Sequence, residues 1–348
     1  MPGRTAIGLD IGTSGVRAAE LSYGRDGITL EKFGQVALPE GAVRDGEVVE
    51  RAVVADAIRA LWKGSGFSGR KVSLGVANQR VVVRQVDLPW MSTAELKASL
   101  PLHVQDYLPM PVADAILDFH VTEELQDGEA RGLRGLLVAA ARDMVMSNVG
   151  AVQAAGLRSV SVDLTSFAVL RSVGRPQSEV ATEALLDIGA RVSNLVIHSA
   201  GQPRFVRVLL SGGQDVTDAI AERIGVPSAF AEAVKRGSAA DLNDTDGHLA
   251  QSAIDLMLEV FVDEIRSSLD YYGASTPQFP VERIVVSGGG SMLTGIVAKL
   301  EAITRRPVVL GNPISALHIG RTGLDPDQLL TVQPLAAVPV GLALGGIS

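Results

Sequence analysis

Leu9-Asp10-Ile11-Gly12-Thr13-Ser14-Gly15 and Leu186-Asp187-Ile188-Gly189-Ala190 share one tetrapeptide, Leu-Asp-Ile-Gly, and that repeat decides the fold. Each copy closes a short apolar run, 6–9 and 184–186, and is followed by small or polar residues. Each then enters a second strand-like run, 16–21 and 192–197, and a third, 28–33 and 205–210. Short apolar runs bounded by turn residues read as buried strands. Two hairpins that each present one carboxylate and one glycine turn predict an α/β protein of two related half-domains around a common cleft. Such a cleft suits a nucleotide whose phosphates lie between the turns, with Asp10 and Asp187 holding its metal ion.

At 348 residues the chain is long enough for two or more domains with proper cores. Apolar residues make up 47% and charged residues 20%, which places it among globular rather than disordered proteins. With 31 basic against 39 acidic residues the net charge is −8, which disfavours nucleic acid as a partner. Without cysteine there is no disulfide, no thiolate metal site and no thiol nucleophile. The sequence runs from Met-Pro-Gly-Arg-Thr straight into a strand, with no signal-peptide pattern. The apolar stretch 334–347 is shorter than a bilayer span and contains Pro339. The expectation is a cytoplasmic protein, peripheral to the inner face of the plasma membrane through partners and without direct membrane insertion.

Val49, Val53, Val54, Ile58 and Leu61 recur at helical spacing, predicting a helix over 48–62 that Gly64-Ser65-Gly66 ends. Strands are expected over 71–77 and 80–86. Ser92 followed by Glu95 is a capping box, opening a helix expected to run through Leu108 with a kink at Pro101. An extended segment (115–122), a polar turn (126–132), a strand (135–141) and a helix (142–155) complete an inserted block between 87 and 158. A strand over 159–162 returns to the first domain, and a helix over 164–173 crosses to the second, which begins near Val180. The region 214–272 reads as mostly helical. A strand (283–286) then feeds a glycine run, a helix over 293–303, a strand (306–310) and a closing helix (329–344).

In the first turn, glycine lets backbone N–H groups approach phosphate oxygens, and the hydroxyls of Thr13 and Ser14 add donors. Asp10 can orient Mg²⁺ through water, because magnesium keeps part of its hydration shell. Arg17, just inside the second strand, is placed to clamp a phosphate. Gly189 and Ala190 give the second copy the same backbone, and Gly213 follows its hairpin. Ser287-Gly288-Gly289-Gly290-Ser291-Met292 stands between a strand and a helix, so a base or ribose can lie on the glycines with the helix N-terminus toward phosphate. Glu232 and Lys235 share a helix face and can grip ribose hydroxyls and an adenine edge, although an isolated pair of this spacing is ordinarily a solvated face. The stretch from Asp241 to Asp246 begins like a calcium loop but lacks its sixth-position glycine and twelfth-position glutamate.

The order of phosphate turn, connecting helix, second turn, Glu-x-x-Lys helix and glycine run resembles the actin-like ATPase superfamily, a duplicated ribonuclease-H-like fold. Within it, Asp87-Leu88-Pro89-Trp90-Met91, Glu95-Leu96, Tyr107-Leu108-Pro109 and Leu117-Asp118-Phe119 are similar to the PilM family of type IV pilus assembly, related to the division protein FtsA. The resemblance covers essentially the whole chain, and the insertion is its most specific part. It implies two lobes around a nucleotide cleft. Subdomain 1A would comprise 1–86 and 159–178 with the closing helix 329–345, and 1C the FtsA-type insertion 87–158. Subdomain 2A would comprise 179–212 and 273–328, and 2B 213–272.

The resemblance also implies ATP with Mg²⁺, held by Asp10, Gly12, Thr13, Ser14, Gly15, Asp187, Gly189, Ala190, Glu232, Lys235, Gly288, Gly289, Gly290 and Met292. Arg17 stands where the family commonly has lysine, exchanging a point charge for a fork. A PilN-type bitopic membrane protein would dock its cytoplasmic N-terminal peptide between 1A and 1C. The chain would thereby couple it to other inner-membrane and motor components of the pilus.

Hydrolysis requires a group that positions the attacking water. Asp163 is the acidic candidate at the connecting helix, and a helix N-cap role explains it equally well. No glutamine lies in 162–173. Any ATPase turnover is therefore expected to be slow, with nucleotide setting conformation. Two other readings share the fold: an FtsA-like filament former that self-associates, and a small-molecule kinase. The kinase reading lacks a polar substrate cluster between 70 and 160, where Pro, Leu and Val dominate.

Overall fold

The computed structural model describes residues 4–127, 130–174, 181–239 and 242–346. The expected start of the second copy near Val180, the tip of the polar turn at 128–129, and Asp241 lie outside the described residues. From the N-terminus, β1 (Arg4–Ile11), β2 (Gly15–Gly24) and β3 (Gly27–Ala37) form an antiparallel meander. A short pair, β4 (Val43–Arg44) and β5 (Glu47–Val48), precedes α1 (Arg51–Ser65). Then come β6 (Lys71–Val76), β7 (Val81–Pro89), α2 (Thr93–His103), β8 (Ala115–Asp127), β9 (Ala130–Ala141) and α3 (Arg142–Ala154). β10 (Arg158–Leu164) runs directly into α4 (Thr165–Val173). The second meander is β11 (Thr182–Ile188), β12 (Ser193–Ser199) and β13 (Gln202–Leu209). It is followed by α5 (Gly213–Ile224), α6 (Ser228–Lys235) and the long α7 (Asp244–Ser275). The described chain ends through β14 (Arg283–Ser287), α8 (Ile296–Thr304), β15 (Val308–Leu310), β16 (His318–Ile319), α9 (Pro326–Val332) and α10 (Ala337–Gly345).

The strands assemble as two large sheets, β10-β6-β1-β2-β3-β16 and β13-β12-β11-β14-β15, and a small one, β7-β9-β8. In each large sheet a meander is extended by parallel strands on its first member: β6 beside β1, and β14 beside β11. The registers match as well. Asp10 pairs with Arg17 and Ile11 with Val16, while Asp187 pairs with Asn194 and Ile188 with Ser193. Both turns therefore hold four residues, Gly12-Thr13-Ser14-Gly15 and Gly189-Ala190-Arg191-Val192.

Every residue of β11 and β12 is buried, as expected for central strands covered on both faces. One face, with Leu186, Leu195 and Val286, packs on Val262, Ile265 and Leu300 of α7 and α8. The other, with Leu185, Val196 and Val285, meets Ala168 and Val169 of α4 and Leu342 of α10. In the first sheet Leu9, Ile11 and Leu74 pack against α1 and α3, while Leu21 and Leu30 meet Val340 and Ala343 of α10. α4 and α10 thus lie between the two sheets. They touch backbone to backbone, since a Cβ on Gly341 would stand 1.8 Å from the Ala168 carbonyl oxygen. The stretch 326–345 is long and apolar enough to cross a bilayer, with mean hydropathy 1.4. Its apolar residues are instead used inside the protein: Ala337 through Ala343 are all buried between the sheets.

Several elements differ from expectation, each for a local reason. The capping box at Ser92 and Glu95 is formed, but α2 ends at His103 and a 3-10 turn (Gln105–Tyr107) follows. Pro101 removes a hydrogen bond from the last turn, so it helps end the helix rather than kink it. The helical region 214–272 is three helices, broken at Gly225 (φ 68°) with Pro227 close behind, and at Gly237. The closing stretch is likewise divided, with a 3-10 turn (Gln333–Ala336) between α9 and α10. β8 and β9 are longer than read from sequence and form one hairpin.

Candidate nucleotide cleft

Asp10 is the penultimate residue of β1, and its alternation there turns its carboxylate toward the turn rather than into the apolar core. Its partner is the guanidinium of Arg17, 3.6 Å away. Burial pushes the Asp10 carboxyl up from its ordinary range, and Arg17 only partly opposes this. The Gly12 N–H donates to the Gly15 carbonyl at 3.0 Å and closes the turn, so it is not free for a ligand. The hydroxyls of Thr13 and Ser14 have no partner among the described residues. Arg17 reaches over the turn, for a Cβ on Gly12 would lie 3.3 Å from its Nη1. Its Nε is buried without an acceptor.

Asp187 occupies the matching place on β11 and is buried, accepting from the Ser287 hydroxyl of β14 at 2.9 Å. Its pKa is pushed up to about 6, chiefly by burial, with the negative charge of Asp10 adding to the rise. Ser287 and Arg17 pull the other way. The carboxylates of the two lobes therefore share one electrostatic environment. The turn beyond Asp187 is stitched to α5: the carbonyls of Gly189 and Ala190 accept from the N–H groups of Gly213 (2.9 Å) and Gln214 (2.7 Å).

Gly213 is a crossing point. A Cβ there would lie 3.6 Å from Lys235 Nζ, 3.7 Å from the Gly189 carbonyl oxygen and 3.9 Å from the Gly290 Cα. Lys235 Nζ donates to the Gly213 carbonyl at 2.8 Å and to Thr217 Oγ1 at 2.9 Å. Glu232 accepts from Thr217 at 2.6 Å and pairs with Lys235 and Arg236. Burial alone would raise the Glu232 carboxyl, but these donors outweigh it and the group sits below its usual range. Gly288 adopts φ 80°, which glycine tolerates and a side chain would not, and passes under the Ile188 carbonyl. Gly289 to Met292 form a 3-10 turn, and α8 starts only at Ile296. The helix expected over 293–303 thus begins three residues later than read from sequence. Met292 is 54% exposed.

Asp163 stands near the end of β10, level with Gly75 of β6. Its carboxylate pairs with Arg171 and accepts from the Leu164 N–H at 2.8 Å, and Arg171 in turn donates to the Gly341 carbonyl. Two residues that the motifs did not single out, Asn194 and Arg191, do border the turns. Asn194 stands where Arg17 stands in the first copy and accepts from Thr165 (3.0 Å) and Ser166 (3.3 Å) of α4. Arg191, within the second turn, binds Asp215 (3.0 Å) and Asp218 (2.6 Å) of α5 and reaches Glu40 of the first lobe at 3.7 Å. The common offset of seven residues, 10 to 17 and 187 to 194, is the signal that would have found Asn194.

The residues fit a magnesium nucleotide. Two carboxyls driven upward by burial beside a single guanidinium leave a place where a cation is favourable. A guanidinium with a buried, unpaired N–H and two free hydroxyls leave donors where a phosphate is favourable. Among the described residues there is no cluster of three or more acidic or histidine ligands.

The insertion packs beside the first sheet. β10 is one edge of the six-stranded sheet and β8 one edge of the small sheet. One apolar cluster joins Leu164 of β10 and Phe167 of α4 to Val138 and Ala140 of β9. Val160 (50%) and Val162 (40%) continue this surface along the exposed edge of β10.

Comparison with known proteins agrees over the whole chain. The family described as type IV pilus assembly protein PilM matches residues 8–347. The cell division protein FtsA of Pseudomonas aeruginosa is 25% identical over 385 aligned residues, covering 99% of this chain and 90% of its own. A solved PilM-PilN type IV pilus biogenesis complex superposes with a TM-score of 0.86 at 29% identity, covering 100% of both chains. MreB5 of Spiroplasma citri bound to ADP shares the actin-like fold, with a TM-score of 0.50 at 12% identity, covering 99% and 96%.

Proposed function

Because the chain belongs to the PilM family of type IV pilus assembly proteins, we propose that it is a cytoplasmic nucleotide-binding scaffold of that machinery. The observation that carries the nucleotide half is the electrostatic contact of Asp10 with Asp187 across the cleft, beside an Arg17 Nε that lacks an acceptor. In this reading Asp10 and Asp187 orient Mg²⁺ through water. Thr13, Ser14 and Arg17 meet the phosphates. Gly213, Lys235, Glu232 and Gly288 to Gly290 frame the nucleoside, with Met292 at its rim. The bound cation would neutralise phosphate charge; the protein's part is to hold and orient the nucleotide. Asp163, already paired with Arg171, is poorly disposed to position water, which supports slow turnover and a conformational role for ATP.

The partner half rests on the PilM-PilN complex. The N-terminal peptide of a PilN-type bitopic membrane protein would lie between subdomain 1A (1–86, 159–178 and 329–345) and subdomain 1C (87–158), along the β10 edge. It would hold the scaffold at the inner face of the membrane and connect it to the other inner-membrane and motor components. The FtsA-like filament reading rests on lower identity than the PilM-PilN match and is not favoured.

Isothermal titration with Mg-ATP, comparing wild type with Asp10→Ala, tests the first half; a loss of at least about tenfold in affinity is expected. Equal binding in both, or none in either, overturns it. Fluorescence anisotropy with a synthetic PilN-type N-terminal peptide tests the second. Val160→Glu with Val162→Glu should abolish peptide binding while leaving ATP titration unchanged.

A further inference from the structure

We propose that the cavity between the C-terminal ends of α1 and α3 is a docking site for an acidic peptide segment of a partner protein. The cavity has a volume of about 420 Å³ and is lined by Arg59, Trp62, Lys63, Phe67 and Arg70, among others. That volume is in the range of organic ligand sites, about 300–1,000 Å³, and far exceeds a bare inorganic anion. It opens on the face of the first lobe where β6 and β10 begin, whereas Asp10 lies where the parallel β1 ends. An occupant there leaves the nucleotide cleft free.

The charged lining residues are all cationic, in a chain whose net charge is −8. Arg59 is held by Asp56 (2.5 Å) and by the Ala154 carbonyl (2.7 Å), so one cation is fixed in place. The side chains of Lys63 and Arg70 have no ion pair or hydrogen bond among the described residues. The carbonyls around the rim are already engaged. Trp62 O accepts from the Phe67 N–H at 3.1 Å, Gly69 O from the Trp62 indole at 2.8 Å, and Arg70 O from the Arg158 N–H at 2.8 Å. Gly66 O accepts from Lys32. Lys63 and Arg70 thus present exposed, unpaired donors at the mouth of the cavity, where an acceptor-rich, anionic occupant gains charge-assisted hydrogen bonds.

The apolar part of the site narrows the class. Trp62 and Phe67 rings lie 5.0 Å apart. With its N–H bound to Gly69, the indole offers the cavity only its ring, which suits an aromatic or aliphatic side chain. A membrane surface is broad and flat and would meet protruding cations, whereas these cations line a recess. A peptide with carboxylates flanking an apolar residue satisfies both walls.

The test uses the full chain and a fluorescein-labelled Gly-Asp-Glu-Phe-Glu-Asp-Leu-Glu peptide. Saturable binding that weakens with salt is expected, and Lys63→Glu with Arg70→Glu should reduce affinity about tenfold at an unchanged thermal midpoint. Lys63→Arg with Arg70→Lys should retain it. No binding by wild type, or equal binding by the charge-reversed variant, overturns the proposal. So does co-sedimentation with vesicles of phosphatidylglycerol and phosphatidylcholine in the absence of peptide binding, which would assign the cavity to lipid.

Discussion

The charge on Asp10 raises the pKa of Asp187, although the two residues lie on different sheets and 177 positions apart in sequence. Each carboxylate ends the first strand of its own meander. The pseudo-symmetry of the two sheets brings those strand ends face to face.

In the nucleotide-free protein this contact has a pH signature. Unfolded Asp187 titrates near 3.8, but the folded group titrates near 6. Between those values the unfolded chain has lost the proton that the native protein keeps. Stability therefore falls as pH rises through that window and levels off above it. The full effect is about 3 kcal/mol. Asp187→Asn should abolish that slope in urea unfolding measured between pH 4 and 7, and should be more stable than wild type at pH 7. Parallel pH profiles for the two proteins would refute the placement.

Gly213→Ala separates ligand space from fold. The added methyl meets only ordinary van der Waals neighbours, at 3.6 to 3.9 Å, so the melting temperature should barely change. It would project into the corner shared by Lys235, Gly189 and Gly290, and ATP affinity should fall by about tenfold or more. Unaltered ATP titration would remove Gly213 from the nucleoside frame.

Gly341→Val has the opposite character. Even a Cβ would overlap the Ala168 backbone, and no side chain there can rotate away. Overpacking at such a contact costs about 1–3 kcal/mol. Denaturant midpoints should drop accordingly, with or without nucleotide.

Arg191 and Glu40 test how much a bridge across the lobes contributes. Glu40 is 74% exposed and 3.7 Å from the guanidinium, so Glu40→Ala should change stability by less than about 0.5 kcal/mol. Arg191→Ala leaves Asp215 and Asp218 without their cation and should cost about 1 kcal/mol. Equal losses for both would mean that the span between lobes matters more than the α5 contacts.

The repeated Leu-Asp-Ile-Gly made the duplicated architecture legible, because a buried strand ending in a carboxylate and a glycine turn leaves a local imprint. Helix ends were harder. Pro101 marks a weakness in the second helix, but whether the chain kinks or stops there depends on tertiary contacts that composition does not carry. Arg191 was invisible as a site residue because its meaning comes from Asp215, Asp218 and Glu40, distant in sequence and near only after folding. The pairing of Asp163 with Arg171 was equally hidden, because the two meet only once β10 has run into α4.

At Gly341 the backbones of α4 and α10 touch directly, and Arg171 of α4 clasps the same point by donating to the Gly341 carbonyl. If nucleotide alters the angle between the lobes, the motion has a fulcrum rather than a track. Small displacements at the cleft would then be levered into larger ones farther from that point.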